Sequence, residues 1–345
     1  MSLVKSLFRY AGNKAKLLTR YAPFFAGLRP AYCIDYCGGS GTMSLWFHQL
    51  YPEAKLYLNE IDPALYKLFK CMHEEYEEFM QYLDYIENDY RRWDGFESKK
   101  EFYYLLRREH YNPTQEIPDE WHQANFEAHP EDYDELDLKE VERWARCSLE
   151  GLSQRTRDNI ICEYLNGWSL KEWEDMSGQN TPFEHACFFF LRTFSFSGVN
   201  TRNTKGEYTS SAGIRSPNQP CYDPETLAAF KAMLDHAELL NKDYRDLDLH
   251  LPRCLHYFDP PYIDSKDQFI AHLDWDQTEA LCEYVQRISE QSTVFMSNAD
   301  HPRLKRLMKG FQWYSFPTVG GMHNKKSKEP VRETLFYKIH PSIAG

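Results

Sequence analysis

Apolar and polar positions along the chain follow two alternating rhythms. Short apolar runs bounded by turn residues predict buried strands at Ala31–Tyr36, Lys55–Leu58, Cys254–Phe258 and Thr293–Ser297, with two more near Gln312–Phe316 and Thr334–Ile339. Between them, stretches with helical character cover Ala15–Tyr21, Met43–Leu50, Pro63–Phe79, His185–Arg192 and Glu225–Leu240, and another ends near Lys309. Strands alternating with helices predict an α/β domain. The alternation breaks over residues 73–180, which are polar and rich in Trp and Tyr; there Phe102–Asn112 places aromatic residues and leucines at helical spacing. The chain is therefore expected to divide into one domain assembled from residues 1–72 and 181–345 and a mostly helical insertion, residues 73–180.

Charge sharpens that division. The 345 residues carry a formal charge of −12. Residues 73–180 hold 28 acidic and 12 basic side chains, which leaves 24 acidic and 28 basic elsewhere, so an acidic insertion sits in a mildly basic remainder. Within the insertion, Leu152 to Gly178 has the cadence of a helix-turn-helix meeting at Asn166-Gly167, but Glu172, Glu174 and Asp175 occupy its second helix, where phosphates would repel them. The block is expected to turn away from any polyanion, and a protein contact is a role open to it. Nine cysteines without a Cys-x-x-Cys pair argue against a disulfide framework or a structural zinc site. No apolar stretch reaches 18 residues and the basic first thirty lack a signal-like apolar segment, so a cytoplasmic, membrane-free protein is expected.

The chemistry concentrates at three places. After the first strand, Cys37-Gly38-Gly39-Ser40-Gly41-Thr42 opens a helix; without Cβ atoms at Gly39 and Gly41, a ligand can approach backbone amides at a helix start. The second strand then delivers Glu60, nineteen residues after Gly41, where an acid can take ribose hydroxyls. After the strand Cys254–Phe258 comes Asp259-Pro260-Pro261-Tyr262. Its prolines remove two amide donors and leave carbonyls free, Asp259 adds a carboxylate acceptor, and Tyr262 adds a flat face. An exocyclic amino group on a flat ring would be held between Asp259 and the Pro260 carbonyl while the ring stacks on Tyr262, as for a base flipped out of a duplex. Two basic segments complete the picture. Gly198–Gly213, a hairpin or long loop, carries Arg202 and Lys205 and is followed by Arg215, and a loop near the C-terminus carries Lys325, Lys326 and Lys328.

Together these motifs resemble the DNA adenine methylase (Dam) family of N6-adenine methyltransferases. Arg9-Tyr10-Ala11-Gly12-Asn13-Lys14 is similar to the family's amino-terminal motif, Gly39 and Gly41 to its glycine turn, Glu60 to its ribose acid, and Asp259–Tyr262 to its catalytic tetrapeptide without change. Phe102–Asn112, Gly198–Gly213, Asp243-Tyr244, Ser297-Asn298 and Glu333-Thr334-Leu335 are fainter likenesses. The resemblance implies a Rossmann-like S-adenosylmethionine-dependent methyltransferase sheet with a mostly helical insertion. It implies a bacterial or phage-encoded enzyme, of restriction-modification or related type, that methylates N6 of a flipped adenine in double-stranded DNA. Tyr10, Lys14, Asp35, Gly39, Gly41, Glu60 and Asp259 would then hold S-adenosylmethionine, Asp259, Pro260, Pro261 and Tyr262 would act on the adenine, and Arg202, Asn203, Lys205, Arg215, Lys325, Lys326 and Lys328 would contact DNA, with no metal. Ungapped matching places Thr201 where the family's base-reading Arg stands, so the family's target site does not transfer.

Rival readings separate on single features. N4 of cytosine is the nearest, since an Asp-Pro-Pro-Tyr turn recognises an amino group on a ring. A nicotinamide dehydrogenase would use the glycine turn and ribose acid but leaves that turn without a purpose. A non-catalytic DNA-binding regulator has no need of an intact one.

Overall fold

The computed structural model describes residues 4–10, 12–112, 181–202, 207–247, 251–262, 273–317 and 332–344. The helix-turn-helix-like stretch, most of the acidic block, Asn203, Lys205, Lys325, Lys326 and Lys328 lie outside the described residues. The chain forms two compact units: Met1–Tyr76 with Ser197–Thr201 and Tyr222–Gly345, and Glu77–Phe196 with Arg202–Cys221.

The first unit is built on a sheet of seven strands among the described residues: β1 (Tyr32–Asp35), β2 (Lys55–Asn59), β3 (Ala237–Leu240), β4 (Cys254–Phe258), β5 (Thr293–Ala299), β6 (Gln312–Pro317) and β7 (Arg332–Lys338). Their order is β3-β2-β1-β4-β5-β7-β6. The first five strands in that order run parallel, with Cys33 opposite Leu56 on one side and Leu255 on the other, while β7 is antiparallel to both neighbours. All five residues of β4 are buried, as an apolar run covered on both faces must be. The chain winds from β1 outward to β3, then returns to β4 and winds the other way, so the order reverses between β1 and β4. The carboxyl ends of those two strands border the crevice where open α/β sheets bind ligands.

Helices of this unit are α1 (Leu18–Phe25), α2 (Thr42–Leu50), α3 (Pro63–Glu74), α7 (Pro224–His236), α8 (Trp275–Ile288) and α9 (Pro302–Leu307). Two expectations are corrected here. The helix read over Glu225–Leu240 stops at His236, and Ala237–Leu240 becomes β3, pairing Leu239 with Leu58: the open edge of β2 offers a ladder that four residues fill at lower cost than another helical turn. The helix read over Pro63–Phe79 ends at Glu74, because Glu75, with φ −128° and ψ 34°, leaves helical geometry before α4 (Tyr76–Arg92) begins.

The second unit packs α4 against α5 (Gly95–Leu105), a π turn over Leu106–Tyr111, and α6 (Pro182–Phe194). Every residue of α6 except Glu184 is buried. Its rings meet those of the other helices: Phe189 with Phe79, Phe190 with Phe102 and Phe194 with Tyr90, the last at 4.7 Å between centroids. The second unit is thus larger than the expected insertion and takes in α6. No helix among the described residues is long and apolar enough to cross a membrane.

Candidate active site

The glycine turn follows β1. Gly38 donates to the Asn59 carbonyl at 2.8 Å and Gly41 to the Gly38 carbonyl at 2.7 Å, tying the turn to β2 before α2 starts. Gly39 and Gly41 have φ of 54° and 67°, the left-handed region that side chains resist. A Cβ on Gly39 would stand 3.0 Å from Cε1 of Tyr10, and one on Gly41 would stand 2.3 Å from Cζ of Phe230. Tyr10 therefore lays its ring against a backbone that only glycine keeps open.

Two buried carboxylates flank this turn. Asp35, closing β1, accepts from Ser44 Oγ at 2.7 Å; burial pushes its carboxyl up to about 7 against the pull of that hydroxyl. Glu60, just after β2, accepts from the Asp62 amide at 2.8 Å and from the Gly39 amide. Burial drives Glu60 up to about 8, although both amides favour its charged form.

Across the crevice, Asp259 leaves β4 with its carboxylate held from both sides. Lys14 Nζ lies 2.5 Å from Oδ2, and Ser297 Oγ on β5 donates to Oδ1 at 3.1 Å, itself 2.6 Å from the Tyr257 hydroxyl. Lys14 is 3% exposed, donates to the Gly12 carbonyl at 2.7 Å, and sits 5.2 Å from the Tyr262 ring centroid. Burial opposes its charge, but Asp259 and Glu333 outweigh burial and hold Lys14 above its ordinary value. Pro260 is buried, and Pro261 and Tyr262 are half-buried. A carboxylate fixed in this way keeps lone pairs free to accept from a flat amino-bearing ring.

The structure brings Tyr10 against Gly39, Gly39 against Glu60, and Lys14 against Asp259 and Tyr262. Sequence reasoning passed over Tyr21, Tyr257 and Glu333 as site residues. Glu333 carried a readable signal, a lone acid opening the apolar run Thr334-Leu335-Phe336.

In the second unit, where a hairpin was expected, antiparallel bridges join Arg202 to Tyr208 and Ser195 to Ala212. Asn112 clamps its returning arm, donating to the Tyr208 carbonyl at 2.7 Å and accepting from the Tyr208 amide at 3.0 Å. Tyr103 and Arg107 donate to the Ser210 carbonyl at 3.0 and 2.9 Å. Two fainter motifs, Phe102–Asn112 and the hairpin, are thereby one structure. Arg202 donates to the Tyr111 hydroxyl at 2.8 Å and lies 5.7–6.0 Å from the ring centroids of Tyr111, Phe188 and Tyr208, whereas Arg215 is exposed.

A family model described as D12 class N6 adenine-specific DNA methyltransferase matches residues 10–320 of the 345. No curated protein matches the chain.

Proposed function

The chain belongs to the D12 class N6 adenine-specific DNA methyltransferases, and on that premise we propose that Asp259, Pro260, Pro261 and Tyr262 form the catalytic centre for site-specific methylation of adenine N6 in DNA. The observation that carries this assignment is the Asp259 carboxylate, fixed by Lys14 and Ser297 at the carboxyl end of β4, beside the glycine turn that ends β1. The lone pair of an adenine amino group is delocalised into the ring, which makes it a weak nucleophile. Asp259 and the Pro260 carbonyl accept hydrogen bonds from its two N–H groups and draw the pair back onto nitrogen, an interaction that strengthens as nitrogen gains positive charge. Tyr262 stacks on the ring of the flipped base. Sequencing DNA from cells expressing the protein, with detection of modified bases, tests the assignment: N6-methyladenine at a defined site is expected, and N4-methylcytosine would move the target to the other base.

The family implies S-adenosylmethionine as methyl donor. The turn at Gly39 fits an adenosyl group, because it is open only for want of a Cβ, is faced by the Tyr10 ring, and meets a carboxylate at Glu60. When bound, this group supplies a methyl on a sulfonium. Tyr10, Lys14, Asp35, Gly39, Gly41, Glu60 and Asp259 are the residues assigned to hold it, with Glu60 accepting from the ribose hydroxyls. Glu60→Ala is expected to weaken S-adenosylmethionine by about 1–3 kcal/mol, read by calorimetry; an unchanged affinity would place the ribose elsewhere. The sign of the pH dependence follows from the raised Glu60 value near 8. Ribose hydroxyls and a cationic ligand both favour the ionised carboxylate, so wild-type affinity should rise toward pH 8 with release of protons, and that rise should flatten in Glu60→Gln.

Methyl transfer is assigned to the sheet unit. Sequence reading is assigned to the hairpin with Arg215 and to the lysines at 325, 326 and 328, and the acidic stretch is assigned an accessory or partner-binding role. A lysine or arginine on a phosphate releases roughly one counterion, so Arg215→Ala should flatten the log–log salt dependence of DNA binding by about one unit. An unchanged slope removes Arg215 from the DNA-contacting set.

A further inference from the structure

Lys14 serves a second acid that the chemistry above leaves without a role. Glu333 lies near the start of β7, opposite Ala299 of β5 and Phe316 of β6, and is 5% exposed. The residues after it, Thr334, Leu335 and Phe336, are buried, and an uncompensated carboxylate in such a strand costs several kcal/mol. Its Oε1 accepts from the Tyr21 hydroxyl and stands 3.9 Å from Lys14 Nζ, the same ammonium that is 2.5 Å from Asp259. The other ionisable groups facing Glu333 are Tyr257 of β4 and Tyr262 of the following turn. Its neighbour Arg332 turns instead to Asp300 and to the Ser315 carbonyl. Two carboxylates thus share one ammonium, and these three groups carry a net charge of −1 when all are ionised; Asp35 also acts on Lys14 and Asp259.

We propose that Glu333 is a positioning residue for methyl transfer: when ionised it draws Lys14 toward itself and leaves the Asp259 carboxylate unquenched as acceptor for the adenine amino group. This rests on the role given to Asp259 above. An ammonium committed wholly to Asp259 neutralises that carboxylate before and during reaction alike, and only an interaction that strengthens in the transition state accelerates the reaction. The shared arrangement keeps a net negative charge near the nitrogen that becomes positive. With Glu333 protonated, Lys14 closes on Asp259 and the cluster becomes neutral. Burial raises the Glu333 carboxyl above the usual range; Lys14 opposes the rise and Asp259 adds to it. The active, ionised form is therefore gained as pH rises, later than for an exposed glutamate.

The test is the single-turnover rate of methyl transfer against pH, with both substrates saturating, alongside calorimetric affinity for S-adenosylmethionine. Wild type should show a limb rising with pH above the ordinary glutamate range. Glu333→Gln should lose that limb and run roughly tenfold or more slower on its plateau, with affinity kept within about threefold. Glu333→Asp should restore the limb and part of the rate. Tyr21→Phe removes the donor that favours ionised Glu333 and should shift the limb to higher pH. A wild-type limb in Glu333→Gln, or a rate within about threefold of wild type, overturns the proposal. If Glu333→Gln does not fold, Tyr21→Phe decides, and a limb that stays in place overturns it. An Asp259→Ala enzyme that still methylates DNA would instead overturn the underlying role of Asp259, whatever Glu333 does.

Discussion

Asp259→Ala is expected to reduce methyl transfer to DNA by at least about 100-fold, the scale of removing a group that acts on charge developing in a transition state. Affinity for S-adenosylmethionine should change by only a few-fold, because Asp259 is one of several residues assigned to hold it and the glycine turn, Tyr10 and Glu60 stay in place. The variant should also fold: Lys14 loses the carboxylate at 2.5 Å but keeps Glu333 and the Gly12 carbonyl. Asp259→Asn is the sharper comparison, since it retains an acceptor oxygen without the charge and should lie between wild type and alanine. Labelled-methyl transfer under single-turnover conditions separates the three. Transfer persisting in Asp259→Ala at more than a few per cent of wild type sinks the role assigned to that carboxylate.

Much of this architecture could be read from the chain because strands buried on both faces leave continuous apolar runs. Cys254–Phe258 needed no context to be recognised, and β1, β2 and β5 fall within two residues of their expected ends. What escaped was settled by pairing rather than by local pattern. Ala237–Leu240 continues a helical spacing and becomes a strand only because β2 has an open edge beside it. Helix α6, read as a core segment of the sheet domain, is buried on every side except at Glu184, and such a pattern does not say which neighbours will cover it. At the site, the turns after β1 and β4 announced themselves through glycine and proline, which constrain backbone within a few residues. Lys14 and Glu333 are 319 positions apart and meet only through the sheet. An ionic contact of that kind leaves no periodicity, although an acid in an apolar strand signals that some partner must exist.

Lys14→Met is expected to be the most destabilising single change at the site. Lys14 is buried between two carboxylates, and removing it leaves Asp259 and Glu333 facing one another without a cation. Breaking a buried pair by deleting one partner costs about 3–5 kcal/mol; Asp259 is partly exposed, which argues for the lower end. A loss of about 3 kcal/mol would lower the melting temperature of a unit this size by roughly 6–12 °C. In wild type the raised Lys14 value gives stability that is complete below the unfolded lysine range and is lost only as pH climbs through the folded value, so it is fully present at neutral pH. In Lys14→Met, Glu333 loses the cation that opposes its rise, so its folded-state value moves further above the unfolded one. The folded variant then binds more protons than the unfolded chain across that interval, so its stability falls as pH rises through it. The gap between variant and wild type should be small near pH 5 and widen toward pH 8. Thermal melts of both proteins across that range measure it, and a gap that is constant with pH would mean that Lys14 contributes packing rather than the charge on which Asp259 depends.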